Sequence, residues 1–263
     1  MSDSNSRWLI PLLLLIGVAA ALWYFWKDTE GPAPAVGPAQ SVPAEVEPAS
    51  PGYPLAPTQS SPSDLIPLPP LDHSDEYFEL ALIDLFGAGV GQLLVDEALI
   101  EKTANSIDNL TRSHVAERIR PLRSISGPFL ADTRDGSDTY TLSPDNYDRY
   151  EFLVNMLTST DTDRLVETYR RFYPLLQQAY VNLGYPDGYF NDRVVEVIDH
   201  LLETPRPEDP ILLVRPHVLY QFADPNLEAL SSGQKLLLRM GEKNAVRVKQ
   251  ILAELRPQVA VIG

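Results

Sequence analysis

Residues 184–205, GYPDGYFNDRVVEVIDHLLETP, join a tight turn to one amphipathic helix, and the helical character of the chain is read from them. Gly184 tolerates a positive φ, and Pro186 fixes φ ahead of the Asp187-Gly188 corner. Tyr189 and Phe190 follow as apolar anchors. Asn191 is placed to cap a helix, its side-chain oxygen accepting a free backbone N–H, and Asp192 suits the positive end of the helix dipole. Val194, Val195, Ile198, Leu201 and Leu202 recur at helical spacing and predict one buried stripe. Pro205 and Pro207 end the helix near Thr204.

A second face of that helix carries Asp192, Glu196, Asp199 and Glu203, with Arg193 and His200 beside them. Asp192, Glu196 and His200 stand at i, i+4 and i+8, a spacing that suits divalent-metal ligation or acid–base chemistry. The same residues also make an ordinary solvated face with Arg193–Glu196 and Glu196–His200 pairs. No second ligand cluster elsewhere in the sequence closes a metal site, and the solvated face is the reading preferred. The residues singled out for binding are Tyr185, Asp187, Tyr189, Asn191, Asp192 and Arg193, aromatic and polar groups crowded around turn glycines. Their structural alternative is a cap plus an ion pair that lock the loop.

The motifs NLGYPDGYFNDR (182–193), VIDHLL (197–202) and LSSGQKLLLRMG (230–241) resemble those of a bacterial domain-of-unknown-function family, number 3014. The resemblance extends over most of Pro67 to Arg256. It implies a single-span envelope protein with a proline-rich linker, and it implies no activity, cofactor or catalytic residue.

The 263 residues carry no Cys and a formal charge of −15, which excludes disulfides, thiolate metal sites and Cys nucleophiles. Between Asp28 and Glu101 there is no Lys or Arg against 13 acidic residues. From Lys102 onward 19 basic residues face 22 acidic ones. An acidic arm and entry helix argue against nucleic acid and against an anionic membrane surface as partner.

Residues 1–7 form a short tail. Trp8–Trp26, WLIPLLLLIGVAAALWYFW, is uncharged and spans about 28 Å as a helix, close to the ~30 Å hydrocarbon core. Trp8 at one end and Trp23, Tyr24 and Trp26 at the other match aromatic belts. The alternative is a cleaved signal peptide at Ala19-Ala20-Ala21, but the apolar run continues past it. A short N-terminal tail before a large polar domain is the layout of a signal anchor. It predicts a single-pass inner-membrane protein whose C-terminal domain is periplasmic.

Residues 27–69 read as a disordered, acidic, proline-rich linker; 12 of the 24 prolines fall between Gly31 and Leu71. Those 41 residues reach from roughly 35 Å as a coil to about 125 Å as polyproline II, a spacer rather than a PxxP-type ligand.

Residues 70–257 predict one mainly helical domain with a small hairpin and minor strands, and 258–263 a tail. Ser74 is expected to cap a first helix, and a second to run from Val90 to about Ile107. A third is expected over Arg112–Arg120, where Arg112, Arg118, Arg120 and Arg123 form the densest basic group. Phe129–Ala131 and Thr139–Leu142 read as a hairpin around Arg134-Asp135-Gly136, and Ile211–Val214 and Val218–Phe222 as strands. Ser143-Pro144 opens a helix, and a kink is expected near Pro174 in the next. Asp224-Pro225 and Ser231-Ser232-Gly233-Gln234 open two more, the latter stopped at Gly241. His73, His114 and His217 stand alone. Lys235, Arg239, Lys243 and Arg247 repeat every four residues, but the Gly241 break splits the stripe, and a DNA-binding helix–turn–helix is not favoured.

No P-loop, GxSxG, HExxH or EF-hand loop occurs, and no cofactor is called for. The function expected is therefore a non-catalytic binding or scaffold domain, tethered to the membrane and facing an envelope protein or cell-wall component. The alternative is a cell-wall glycan or peptide hydrolase using paired carboxylates such as Asp192 and Glu196.

Overall fold

The computed structural model describes residues 50–55, 67–123, 129–133, 139–208 and 210–260. Trp8–Trp26, most of the linker and the Arg134-Asp135-Gly136 turn lie outside them. Among the described residues no helix is long and apolar enough to cross a membrane.

The domain is mainly helical, with eight α-helices and one small antiparallel sheet among the described residues. In chain order the helices are α1 (Asp75–Phe86), α2 (Leu99–Asn109), α3 (Asp145–Thr158), α4 (Thr162–Asn182), α5 (Phe190–Leu202), α6 (Pro225–Glu228), α7 (Ser232–Arg239) and α8 (Glu242–Val259). The strands are β1 (Ala131–Thr133), β2 (Thr139–Leu142), β3 (Leu212–Val214) and β4 (Gln221–Phe222), ordered β1-β2-β3-β4. The predicted hairpin and minor strands thus join in one sheet, with Thr141 opposite both Asp132 and Leu212.

The helical stripe of α5 buries Val194, Val195, Val197, Ile198 and Leu201. It packs against α8 and α2, while α4 spans the same core with Leu165, Tyr169, Phe172, Leu176 and Tyr180. Phe78, Phe172 and Phe190 are completely buried at its centre. A separate small core under the sheet gathers Leu142, Ile211, Leu213, Phe222 and Leu238.

Several starts differ from expectation, each because a distant group wins over a local one. Ser74 does not cap α1; its hydroxyl donates to the Leu71 carbonyl. Asp75 instead caps α2, its two carboxylate oxygens accepting from the Ala98 and Leu99 N–H groups at 2.8 and 2.7 Å. That cap, with Ala98 in the left-handed region at φ 55°, starts α2 nine residues later than Val90. Residues 112–120 form only a 3-10 turn at Glu117–Ile119. The carbonyls of Leu110 and Arg112 accept from Gly233 and Ser232 at the start of α7, so this stretch is tied to another helix. Helix α4 runs unbroken through Pro174, which lies exposed on its outer side.

Three local caps form, while the helix expected to open at Ser143-Pro144 starts at Asp145 with no side-chain cap. Asp161 and Asp224 accept from backbone N–H groups at the starts of α4 and α6. Ser231 and Gln234 close a reciprocal capping box on α7. Gly241, at φ 82°, separates α7 from α8.

Candidate functional site

The turn at Gly184 (φ 105°) delivers Tyr185 onto Tyr180, the two rings stacked 4.6 Å apart. Burial, with the Asp108 charge second, pushes the Tyr180 phenol up to about 12. Gln177 of α4 staples the turn to α5: its amide nitrogen donates to the Gly188 carbonyl and its oxygen accepts from the Phe190 N–H. Asp187 is exposed at the tip of the turn, and Tyr189 is half-buried.

Asn191 is not the helix cap. Helix α5 starts at Phe190, and Asn191, 1 % exposed, lies inside its first turn. Its amide nitrogen donates to the carbonyls of Tyr53 at 2.8 Å and Val259 at 2.9 Å, and its oxygen accepts from the Tyr169 hydroxyl at 3.0 Å. A buried amide with all these bonds made specifies one arrangement of three chain segments.

Asp192 faces the linker. Its carboxylate accepts from the N–H groups of Gly52 and Tyr53 at 2.9 and 2.8 Å. Tyr53 and Leu55 pack on the helical core. Arg256 is held above its ordinary pKa by its hydrogen bond to Asp199 first, and the Tyr53 phenol adds to this. Residues 50–55, read from composition as part of a disordered arm, are therefore a strap laid across the start of α5.

Arg193 turns to the other side. Its Nε donates to Asp108 Oδ1 at 3.0 Å and its Nη1 pairs with Glu196 at 2.7 Å. Burial lowers the Arg193 pKa, but the bond to Glu196 and the charges of Glu196 and Asp108 outweigh it and raise the value. Asp108 also accepts from Arg112 at 2.8 Å and from the Tyr185 hydroxyl at 3.3 Å.

Next to this hub opens a polar cavity of about 370 Å³ lined in part by Asn105, Asp108, Arg112, His114, Arg118 and Tyr185. The cavity brings the Gly184 loop and two of the four arginines together, a juxtaposition not legible in the sequence. Arg120 and Arg123 go elsewhere. Arg120 is buried, donates to the Val115 carbonyl and is pushed down to about 10 by burial. Arg123 pairs with Asp96.

Asp192, Glu196 and His200 point to three different partners. Glu196 is exposed beside Arg193, and His200 Nε2 shares a hydrogen bond of 2.8 Å with the Ser231 hydroxyl. Among the described residues no three His, Asp or Glu side chains stand close enough together to hold a metal ion. The Lys235–Arg247 repeat is split as expected: Lys235 is buried against Glu228, Arg239 lies over the Phe222 ring, and Lys243, on the following helix, pairs with Glu151 of α3.

The arrangement is that of a helical domain whose polar residues tie loops and termini together. Residues 99–256 match the family described as a protein of unknown function, DUF3014, and the chain belongs to that family. The matched residues begin at α2, so the strap and α1 lie outside them. No curated protein and no solved structure matches the chain.

Proposed function

We propose that this protein is a non-catalytic binding or scaffold domain of the bacterial cell envelope. Trp8–Trp26 anchors it in the inner membrane and the proline-rich arm carries it on the periplasmic side, where it binds an envelope protein or cell-wall component. One observation carries the reading: Asp192, at the start of α5, spends both oxygens on successive backbone N–H groups of a segment far away in the chain. That is the chemistry of peptide recognition, main-chain bonds supplying affinity. The hydrolase alternative has less behind it, because Glu196, one turn further along α5, is paired with Arg193 rather than set across a cleft from Asp192.

The test is in-cell crosslinking and capture of the full chain beside an Asp192→Ala variant of matched abundance. A defined envelope partner held by the native chain is the expected result, and its loss in the variant assigns it to this surface. No captured partner, together with release of soluble fragments from purified cell wall, overturns the reading in favour of a hydrolase.

A further inference from the structure

The strap and its seat have the features of a ligand and its site. Ser50–Leu55, SPGYPL, carries no charged side chain, and Tyr53 is the one aromatic residue between Lys27 and Pro69. Its backbone contacts are directional hydrogen bonds. The Gly52 and Tyr53 N–H groups donate to Asp192, and the Tyr53 carbonyl accepts from Asn191. Pro54 follows directly, and a proline at that position costs the seat no N–H donor. The seat is built from elements far apart in the chain, the first turn of α5 and the end of α8, joined by the Asn191–Val259 hydrogen bond without the strap's help. It lies inside the matched family region at Asn191, Asp192 and Arg256, whereas its occupant lies outside.

We propose that the surface formed by the start of α5 and the end of α8 is a docking site for an uncharged Gly-Tyr-Pro segment, bent as residues 52 and 53 are here. Residues 50–55 occupy it in cis as a latch that an incoming segment of the same chemistry must displace. This rests on the binding-module reading above and names the ligand class of its site. A tethered occupant acts at an effective concentration on the order of millimolar when its connection is short and flexible, so a free peptide competes poorly until the latch is opened.

The test uses the full chain in detergent and a fluorescent peptide of residues 48–57, PASPGYPLAP. In one variant, Gly52→Pro/Tyr53→Pro removes both strap N–H donors; circular dichroism checks that its helices are retained. The expected result is that this variant binds the peptide at least tenfold more tightly than the native chain, and that adding Asp192→Asn removes the gain. Equal binding by native and released chains overturns the latch, and no binding by the folded released chain overturns the site. Hydrogen exchange gives a second readout on the native chain: slow exchange at the Gly52 and Tyr53 amides, restored to the fast rate of free peptide by Asp192→Asn, is expected. Unprotected amides in the native chain overturn the cis contact, as does a concentration-dependent dimer in which a second copy supplies the strap. These outcomes leave the capture of an envelope partner through another face as a separate result.

Discussion

Asp108 and Arg193 stand 85 positions apart in the chain and meet at 3.0 Å, Asp108 almost fully buried and Arg193 13 % exposed. This pair, with Arg112 and Tyr185 on the same carboxylate, clamps α2 to α5 and holds the Gly184 loop against both. Removing one partner of a buried pair leaves the other charge without compensation, which typically costs about 3–5 kcal/mol. Asp108→Ala is expected to fall in the lower part of that range, since Arg193 keeps Glu196. Glu196→Gln, at the exposed end of the network, is expected to cost under about 1 kcal/mol. Urea midpoints of the two variants check the difference. Equal losses would mean that the network is held at its surface end.

Asn191 sits at the meeting of three segments, and Asn191→Ala strips hydrogen bonds from Tyr169, Tyr53 and Val259 at once. Buried groups left unsatisfied cost about 1–3 kcal/mol each where water cannot reach them. The loss expected for Asn191→Ala is therefore about 3 kcal/mol, against about 1 kcal/mol for Tyr169→Phe, which removes one bond. Thermal unfolding of both variants measures it. A Tyr169→Phe loss as large as that of Asn191→Ala would show that the phenol, not the amide, holds the junction.

Two glycines of the LSSGQKLLLRMG motif are placed by close approach. A Cβ on Gly233 would stand 2.7 Å from a Leu201 methyl and 3.0 Å from the Leu110 carbonyl oxygen, where α7 meets α2 and α5. On Gly241 it would enter the Tyr147 ring at 2.6–2.8 Å, at a φ of 82° that side chains rarely adopt. Gly241→Ala is expected to be the worse of the two, combining overpacking of about 1–3 kcal/mol with backbone strain of similar size. Denaturant unfolding ranks them; a milder Gly241→Ala would mean that Tyr147 swings aside at little cost.

Folding is expected to be sensitive to acid through His114. Burial first, then the positive charges of Arg120 and Lys235, lower its pKa below the ordinary 6.5. On acidification the unfolded chain takes up the His114 proton near pH 6.5, and the folded chain does so only at lower pH. The contribution to stability is thus complete above that range and is lost as pH falls through it. His114→Gln is expected to lose less stability than the native chain between pH 7.5 and 5.5. Parallel losses in paired urea titrations would exclude His114 as the sensor.

What the sequence makes legible here is what is decided locally. The Ser231–Gln234 helix start, the Asp224 cap and the buried face of α5 each rest on residues within a few positions of one another, and each is found in the fold. The start of α2 depends on Asp75, 24 positions before Leu99, and no periodicity reports that. Asn191 has the residue type and place of a cap, but burial directs its amide to Tyr53 and Val259 instead. Proline content marks residues 27–69 as a linker and hides the strap within it. The available signal was Tyr53, the lone aromatic of that stretch, in a Gly-Tyr-Pro triplet that recurs at 184–186.

The Asn191 amide touches the carbonyls of Tyr53 and Val259 together, so the described domain is entered and left at a single side chain. A domain closed in this way has its two ends at one corner. A short connection from residue 260 to residue 50, with new ends cut elsewhere, would leave the architecture intact. It also fixes the direction of load. A pull on the chain ahead of residue 50 reaches the start of α5 and the last turn of α8 first, and α1, though it comes sooner in the chain than either, is shielded from the strain while the strap holds.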